Sequence, residues 1–455
     1  VSVPTRGAEL AAQLRLAVPL AALQVGLVFM GLVDTILLGH YSPDAMAGAG
    51  IGTGLIFALT VLGLGVVMGL DPLVAQAIGA GDARRTPALL RDGLRVAVRI
   101  GVAITAVAIT LPWAIDAAGV DRAIADEARV FTLVRLIGIT PFLATVALRS
   151  FLQAHGHTRP LVIAVVVGNL VNAILDWVLI FGDRGLVDLG LPAIGLPALG
   201  SIGAGAATSI VTVAMLVYYQ RAARPLVAAL GGPSDAPDAA PAILRLGAPI
   251  GLQLFAEVAA FALAALLAGR LGPVPAAAHQ IALQLASVSF SIALGVGSAA
   301  AIRVGIAVGA GEHAWARRAA GTSLILGLAV MSMSALLFVA VPGPLARLFG
   351  DRGAVTATAI TLIQIAAVFQ LSDGAQAVAT GALRGAGDTR AAFVANLIGH
   401  YAIGFPIAMT AAFVFDRGAA GLWWGLTAGL TGTAIALCVR LAWLTGRPIT
   451  RAADR

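Results

Sequence analysis

Apolar stretches of about twenty residues recur along the whole chain, each long enough to cross a hydrocarbon core of roughly 30 Å as a helix. Twelve such spans are predicted, at 16–38, 46–70, 96–115, 128–149, 160–182, 199–219, 244–268, 276–301, 319–341, 355–381, 391–414 and 420–445. The first span runs on through Asp34 and lacks a small-residue cleavage site, so it reads as a membrane helix and not as a removable leader. The pattern predicts an all-α integral membrane protein.

Two segments of this pattern are copies of each other. "LRLAVP" at 14–19 returns as "LRLGAP" at 244–249, and "GAGD" at 79–82 returns as "GAGE" at 309–312, both displaced by 230 residues. A third pair, "LQAHGHTR" at 152–159 and "LRGAGDTR" at 383–390, is displaced by 231. The expected organisation is an N-terminal six-helix half over 1–220, a Pro-, Ala- and Gly-rich cytoplasmic link over 221–241, and a C-terminal six-helix half over 242–455. Each half crosses an even number of times, so the two share one orientation and should be related by a pseudo-twofold axis along the membrane normal. A cleft between the halves is the natural place for a substrate.

Composition agrees. The 455 residues are 59% hydrophobic and only 11% charged, against roughly 25% charged in a soluble domain, and the mean hydropathy is +0.96. The formal net charge of +7 would suggest nucleic acid in a soluble protein. Here all 29 basic residues are arginine, and with a cytoplasmic N-terminus 21 of them fall on the cytoplasmic side. The positive-inside rule thus places both termini in the cytoplasm, and the basic excess is topological, with no nucleic-acid partner expected. Arg129 and Arg135, near the outer end of the fourth span, count among the outer arginines. The one cysteine, Cys438, leaves no intramolecular disulfide to form.

Among 22 acids, four fall within spans, Asp34, Asp176, Glu257 and Asp373, and a fifth, Asp71, stands at the inner end of the second span. A carboxylate at the centre of a membrane helix costs about 2.5 to 3.5 kcal/mol on insertion scales, so such groups face a cavity or a partner. The repeat counterparts of Glu257, Asp34 and Asp373 are Leu27, Ala264 and Phe142. A need of the scaffold would recur in both copies; these acids do not. Asp34, Glu257 and Asp373 are therefore candidates for cation or proton coupling. Asn169, Asn172 and Asp176, at spacings that share one helical face, form a polar stripe on the fifth span. That stripe either shapes the Asp34 site by hydrogen bonding or joins helix 5 to helix 1. Asp71, followed by Pro72, matches an N-cap with proline at the first helical position. Pro19 and Pro249 each remove a helical hydrogen bond and are expected to bend the first and seventh helices.

Phe29, Met30, Phe255, Phe261, Phe290 and Phe369 are candidates for an adaptable apolar wall of a drug cleft, though such residues also serve as ordinary packing. "GAGD", at 79–82 and again at 385–388, formally matches intramembrane aspartyl proteases. Both copies lie in arginine-flanked loops, and no Tyr-Asp pair supplies a second catalytic aspartate. HExxH, GxxxxGK[ST] and GxSxG are absent. His155 and His157 sit in a polar turn without further ligands nearby.

The twelve spans, "VDTILLGH" at 33–40, "QAIGAGD" at 76–82 and "SDGAQAVATGALRGAGDTR" at 372–390 together resemble the multidrug and toxic compound extrusion family over nearly the whole chain. The acids match its NorM-like branch, which carries one in helix 1 and a Glu and Asp pair in helices 7 and 10. The resemblance implies a secondary multidrug exporter, not an enzyme, in a bacterial inner membrane. It would expel amphipathic, cationic drugs or toxic metabolites by antiport with Na⁺ or H⁺, without cofactors, as a monomer among membrane lipid. It further implies a Na⁺ site at Glu257 and Asp373, exchange at Asp34 with Asn172 in its network, and a bend at Pro19, about four turns before Asp34, that responds to protonation. The sequence departs from the branch at Asp176, commonly Asn, and at Phe369, often Tyr. A lipid-linked oligosaccharide flippase of the same superfamily is the rival, but would require a basic cleft.

Overall fold

The computed structural model describes residues 3–117, 119–232, 237–351 and 353–454. Twelve of its helices are long and apolar enough to cross a membrane: α1 (Arg6–Tyr41), α2 (Pro43–Gly79), α3 (Ala83–Trp113), α4 (Arg122–Ala154), α5 (Arg159–Phe181), α6 (Ser201–Ala229), α7 (Ala240–Arg270), α8 (Pro273–Gly309), α9 (His313–Ala340), α10 (Ala354–Gly385), α11 (Thr389–Val414) and α12 (Gly418–Thr445). No strand occurs among the described residues. Of the sequence features above, Arg352, Arg455 and link residues 233–236 lie outside the described residues.

Most helices outrun their apolar stretches. α1 starts at Arg6, ten residues before its predicted span, and α6 continues to Ala229, so the predicted link begins inside a helix. The reason is physical: backbone hydrogen bonding persists where a helix leaves the hydrocarbon and its side chains turn polar, while hydropathy registers only the apolar middle. α1 stays helical through Pro19, and α7 through Pro249.

α2 is divided by a turn at Met68 and Gly69 into Pro43–Val67 and Leu70–Gly79. Asp71 falls in the first turn of the second piece, not at its N-cap, and its Oδ2 lies 3.5 Å from Nε of Arg384 on α10. The local Asp-Pro pattern suggests a cap, whereas the partner that Asp71 meets stands 313 positions away in the chain and leaves no local mark.

Two compact units emerge. One comprises the N-terminal stretch through Gln24, Asp71–Ala83 and the chain from Arg245 on; the other comprises Val25–Leu70 and Arg84–Leu244. The partition departs from the expected halves, because the start of α1 and the end of α2 are counted with α7 to α12. Side-chain contacts explain it. Glu9, fully buried, accepts from Nε of Arg303 on α8 at 2.9 Å and from the Trp315 indole at 2.9 Å. Gln13 donates to the Ala319 carbonyl at 2.7 Å, and Gln76 donates to the Gly385 carbonyl at 2.9 Å.

Within that unit the repeat becomes a contact. A Cβ on Gly79 would strike the Ile306 carbonyl, and a Cβ on Gly309 would strike the Gln76 carbonyl. Gly309 is Gly79 displaced by 230, and Ile306 is Gln76 displaced by 230. Each residue meets the counterpart of the one that its own counterpart meets, which is the signature of a local twofold axis. Gly309→Ala is expected to lower stability by about 1 to 3 kcal/mol through overpacking. Gly321→Ala, whose added methyl meets nothing within 4 Å, should be neutral or stabilising. Equal melting temperatures for the two detergent-solubilised variants would refute the tight crossing.

Candidate functional site

The first cluster is built by α1, α5 and α6. Helical spacing places Asn172 and Asp176 one turn apart on α5, and both are fully buried. The Asn172 amide nitrogen donates to Asp34 Oδ1 at 2.6 Å and also to Asp176 Oδ2, so one amide bridges two carboxylates. The Thr208 hydroxyl lies 2.9 Å from Asp34 Oδ2 and 3.1 Å from the Ala204 carbonyl, with one proton to share between them. Asn172 Oδ1 and Asp176 Oδ1 are buried without a donor. Asn169 instead donates to the Gly26 carbonyl at 3.0 Å and to Val165 at 2.7 Å, joining α5 to α1. The two open readings of the stripe thus divide between its residues. Arg135 of α4 acts electrostatically on both Asp34 and Asp176, where the sequence offered only an outer-side arginine.

The second cluster is built by α7, α10 and α11. Gln376 donates to Glu257 Oε1 and Asn396 donates to Glu257 Oε2, each at a long 3.4 Å. Asp373, 4% exposed, shares the electrostatic environment of Glu257, as does His400. His400 Nδ1 lies 3.1 Å from the Asn396 carbonyl, and the Tyr401 hydroxyl donates to the Ala256 carbonyl at 2.8 Å. Both belong to a π-helical stretch, Ile398–Gly404, a wide turn common at functional sites. Gln376 Oε1, Asn396 Oδ1 and His400 Nε2 are buried without hydrogen-bond partners. Among the described residues no lysine or arginine pairs with Glu257 or Asp373.

Chemically, both clusters are rich in acceptors and poor in donors. Buried oxygens without donors are costly unless something fills their lone pairs. Two carboxylates bridged by one amide in a low-dielectric interior call for a proton or cation between them. Carboxylate and amide oxygens are the ligand set of hard cations. Among the described residues no three His, Cys, Asp or Glu side chains converge as a metal site, so a cation at Glu257 and Asp373 would draw on the Gln376 and Asn396 amide oxygens.

The expected apolar wall is dispersed. Met30 and Phe369 are buried, 8% and 2% exposed, so both are packed side chains here. Phe261 packs edge-on against Phe369 and against His400, at ring separations of 6.3 and 6.2 Å. Phe290 packs with Ala293, Met331 and Ala377. Phe29 and Phe255 are exposed. Thr208, Arg135, Gln376, Asn396 and His400 join the two clusters without standing among the residues that the sequence singles out. A weak signal existed: Gln376 follows Asp373 by three, Asn396 and His400 stand four apart in an apolar run, and Arg135 falls inside a predicted span.

Comparisons with known proteins fit this architecture. The MatE family model matches residues 19–178 and 249–410, two segments whose starts are again 230 apart. A probable multidrug resistance protein NorM of Pseudomonas putida is 35% identical over 461 aligned positions, covering 98% of this chain and 97% of the relative. Among solved structures, the eukaryotic MATE transporter AtDTX14 superposes with a TM-score of 0.86 at 22% identity, over 98% of each chain. A MOP superfamily transporter from Pyrococcus furiosus gives 0.82 at 18% identity, over 96% of each. The structural likenesses speak for the fold. The paired matches to one family model and the near-full-length relative speak for descent, and the chain belongs to the MATE family of multidrug transporters.

Proposed function

We propose that this protein is a secondary exporter of amphipathic, cationic compounds, driven by the inward gradient of Na⁺ or H⁺, with both termini on the cytoplasmic face of a bacterial inner membrane. The observation that carries this reading is the pair of carboxylate clusters set in otherwise apolar helices, each with buried acceptor oxygens that lack a donor. A bound cation or proton supplies what those oxygens lack. A cationic drug competes for the same negative charge or favours a different conformation, and either relation couples the two fluxes.

Asp34 and Asp176 form one exchange site with Asn172 and Thr208, and Arg135 supplies a standing positive charge beside it. Glu257 and Asp373 form a second, which the Gln376 and Asn396 amide oxygens suit to Na⁺. Purified protein in proteoliposomes, loaded with a fluorescent cationic drug and given sodium and pH gradients separately, tests the reading. Drug export should accelerate under one of the two gradients and stop when it is dissipated. Export that ignores both gradients would overturn the antiport reading.

A further inference from the structure

α12 ends in an arrangement unconnected with either carboxylate cluster. Arg440 and Arg447 both lie over the ring of Trp443, their guanidinium carbons 4.5 and 4.2 Å from its centroid. Nε of Arg440 donates to Asp388 Oδ2 at 2.7 Å, which fixes that side chain, while Arg447 is exposed and has no carboxylate partner among the described residues. Stacking leaves the planar N–H edge of Arg447 free for bidentate contact with a phosphate, and Arg440, whose Nε is taken by Asp388, adds its terminal N–H groups.

Depth follows from the same helix. Trp424 and Trp443 are both exposed and stand nineteen residues apart. At 1.5 Å per residue that is about 28 Å, close to the hydrocarbon thickness of roughly 30 Å. Exposed tryptophans mark the two interfaces of a bilayer, so Trp443 sits at headgroup level. Below it Val439 and Ile435, 63% and 60% exposed, continue the same row at four-residue intervals. An apolar track thus leads from the membrane interior to a pair of positioned guanidinium groups.

We infer that the Arg440–Trp443–Arg447 stack binds one anionic phospholipid, its phosphodiester on the Arg447 edge beside the terminal N–H groups of Arg440 and an acyl chain along Trp443, Val439 and Ile435. The charge selects the class. A zwitterionic headgroup brings its own ammonium to the arginines, whereas phosphatidylglycerol brings a phosphodiester without one.

Phosphatidylglycerol with brominated acyl chains, titrated into phosphatidylcholine nanodiscs that carry the protein, is the probe, and quenching of tryptophan fluorescence is the readout. A saturable component should appear, disappear in Trp443→Phe, and move to about fivefold higher phosphatidylglycerol fraction in Arg447→Gln. Arg221→Gln removes an exposed arginine from α6 and should leave the midpoint unchanged. An equal shift in that variant would reduce the effect to bulk surface charge and overturn the site. So would an unshifted Arg447→Gln, the same saturation with brominated phosphatidylcholine, or displacement of the lipid by millimolar inorganic phosphate.

Discussion

Glu257→Gln is expected to lower gradient-driven drug export by roughly 10- to 100-fold, the span of ordinary coupling free energies. The substitution keeps the shape and removes the charge. In the native cluster both carboxylate oxygens face amide donors, from Gln376 and Asn396. A glutamine there can accept from only one of them and turns its own amide toward the other, so the site loses one of its two carboxylates and gains a donor where an acceptor stood. A proton or Na⁺ is then held by Asp373 alone and less tightly. Asp34→Asn is the companion experiment, because the Asn172 amide that now bridges two carboxylates would bridge one. Export driven separately by sodium and pH gradients, at matched protein per vesicle, provides the measurement. If Glu257→Gln retains the wild-type rate under both gradients, the second cluster has no part in coupling.

The second large effect concerns stability. Glu9→Gln should destabilise the protein by about 3 to 5 kcal/mol, the range for removing one partner of a buried ion pair. Glu9 is fully buried and accepts from Arg303, the Trp315 indole and Gln13, while the Arg303 side chain is 15% exposed. The variant leaves the Arg303 guanidinium beside a neutral amide and the Trp315 ring, 5.1 Å away, with no carboxylate paired to it among the described residues. Melting of the detergent-solubilised protein should drop markedly, and Arg303→Met added to Glu9→Gln should recover part of the loss, since an apolar pair leaves no uncompensated charge. A drop no larger than that of an exposed substitution such as Arg221→Gln would mean that the pair contributes little.

How far these sites could be read in advance differs residue by residue. Asn172 and Asp176 share a face of α5 by spacing alone, and the insertion cost of carboxylates singled out Asp34, Glu257 and Asp373. Glu9 carries no such signal, because it precedes the apolar run of α1 and resembles any solvated acid at a helix end. Arg135 has the sequence signature of a topological charge; its field reaches Asp34 and Asp176 only because α4, α1 and α5 pack as they do. His400 and Asn396 were two polar residues in an apolar run, and nothing local announced the π-helical turn on which His400 stands or the Glu257 carboxylate across from Asn396.

The division has a physical basis. Desolvation is charged residue by residue, and helical periodicity is a property of neighbours, so the sequence by itself determined the twelve spans, the 230-residue repeat and the acids that a membrane helix would not carry idly. Pairing between helices depends on how closely backbones approach, as where Gly79 and Gly309 each admit the other's helix. Such contacts join residues hundreds of positions apart and leave no local pattern. The tertiary structure alone therefore decided that Asp71 meets Arg384, that Glu9 meets Arg303, and that Asn172 stands between two carboxylates.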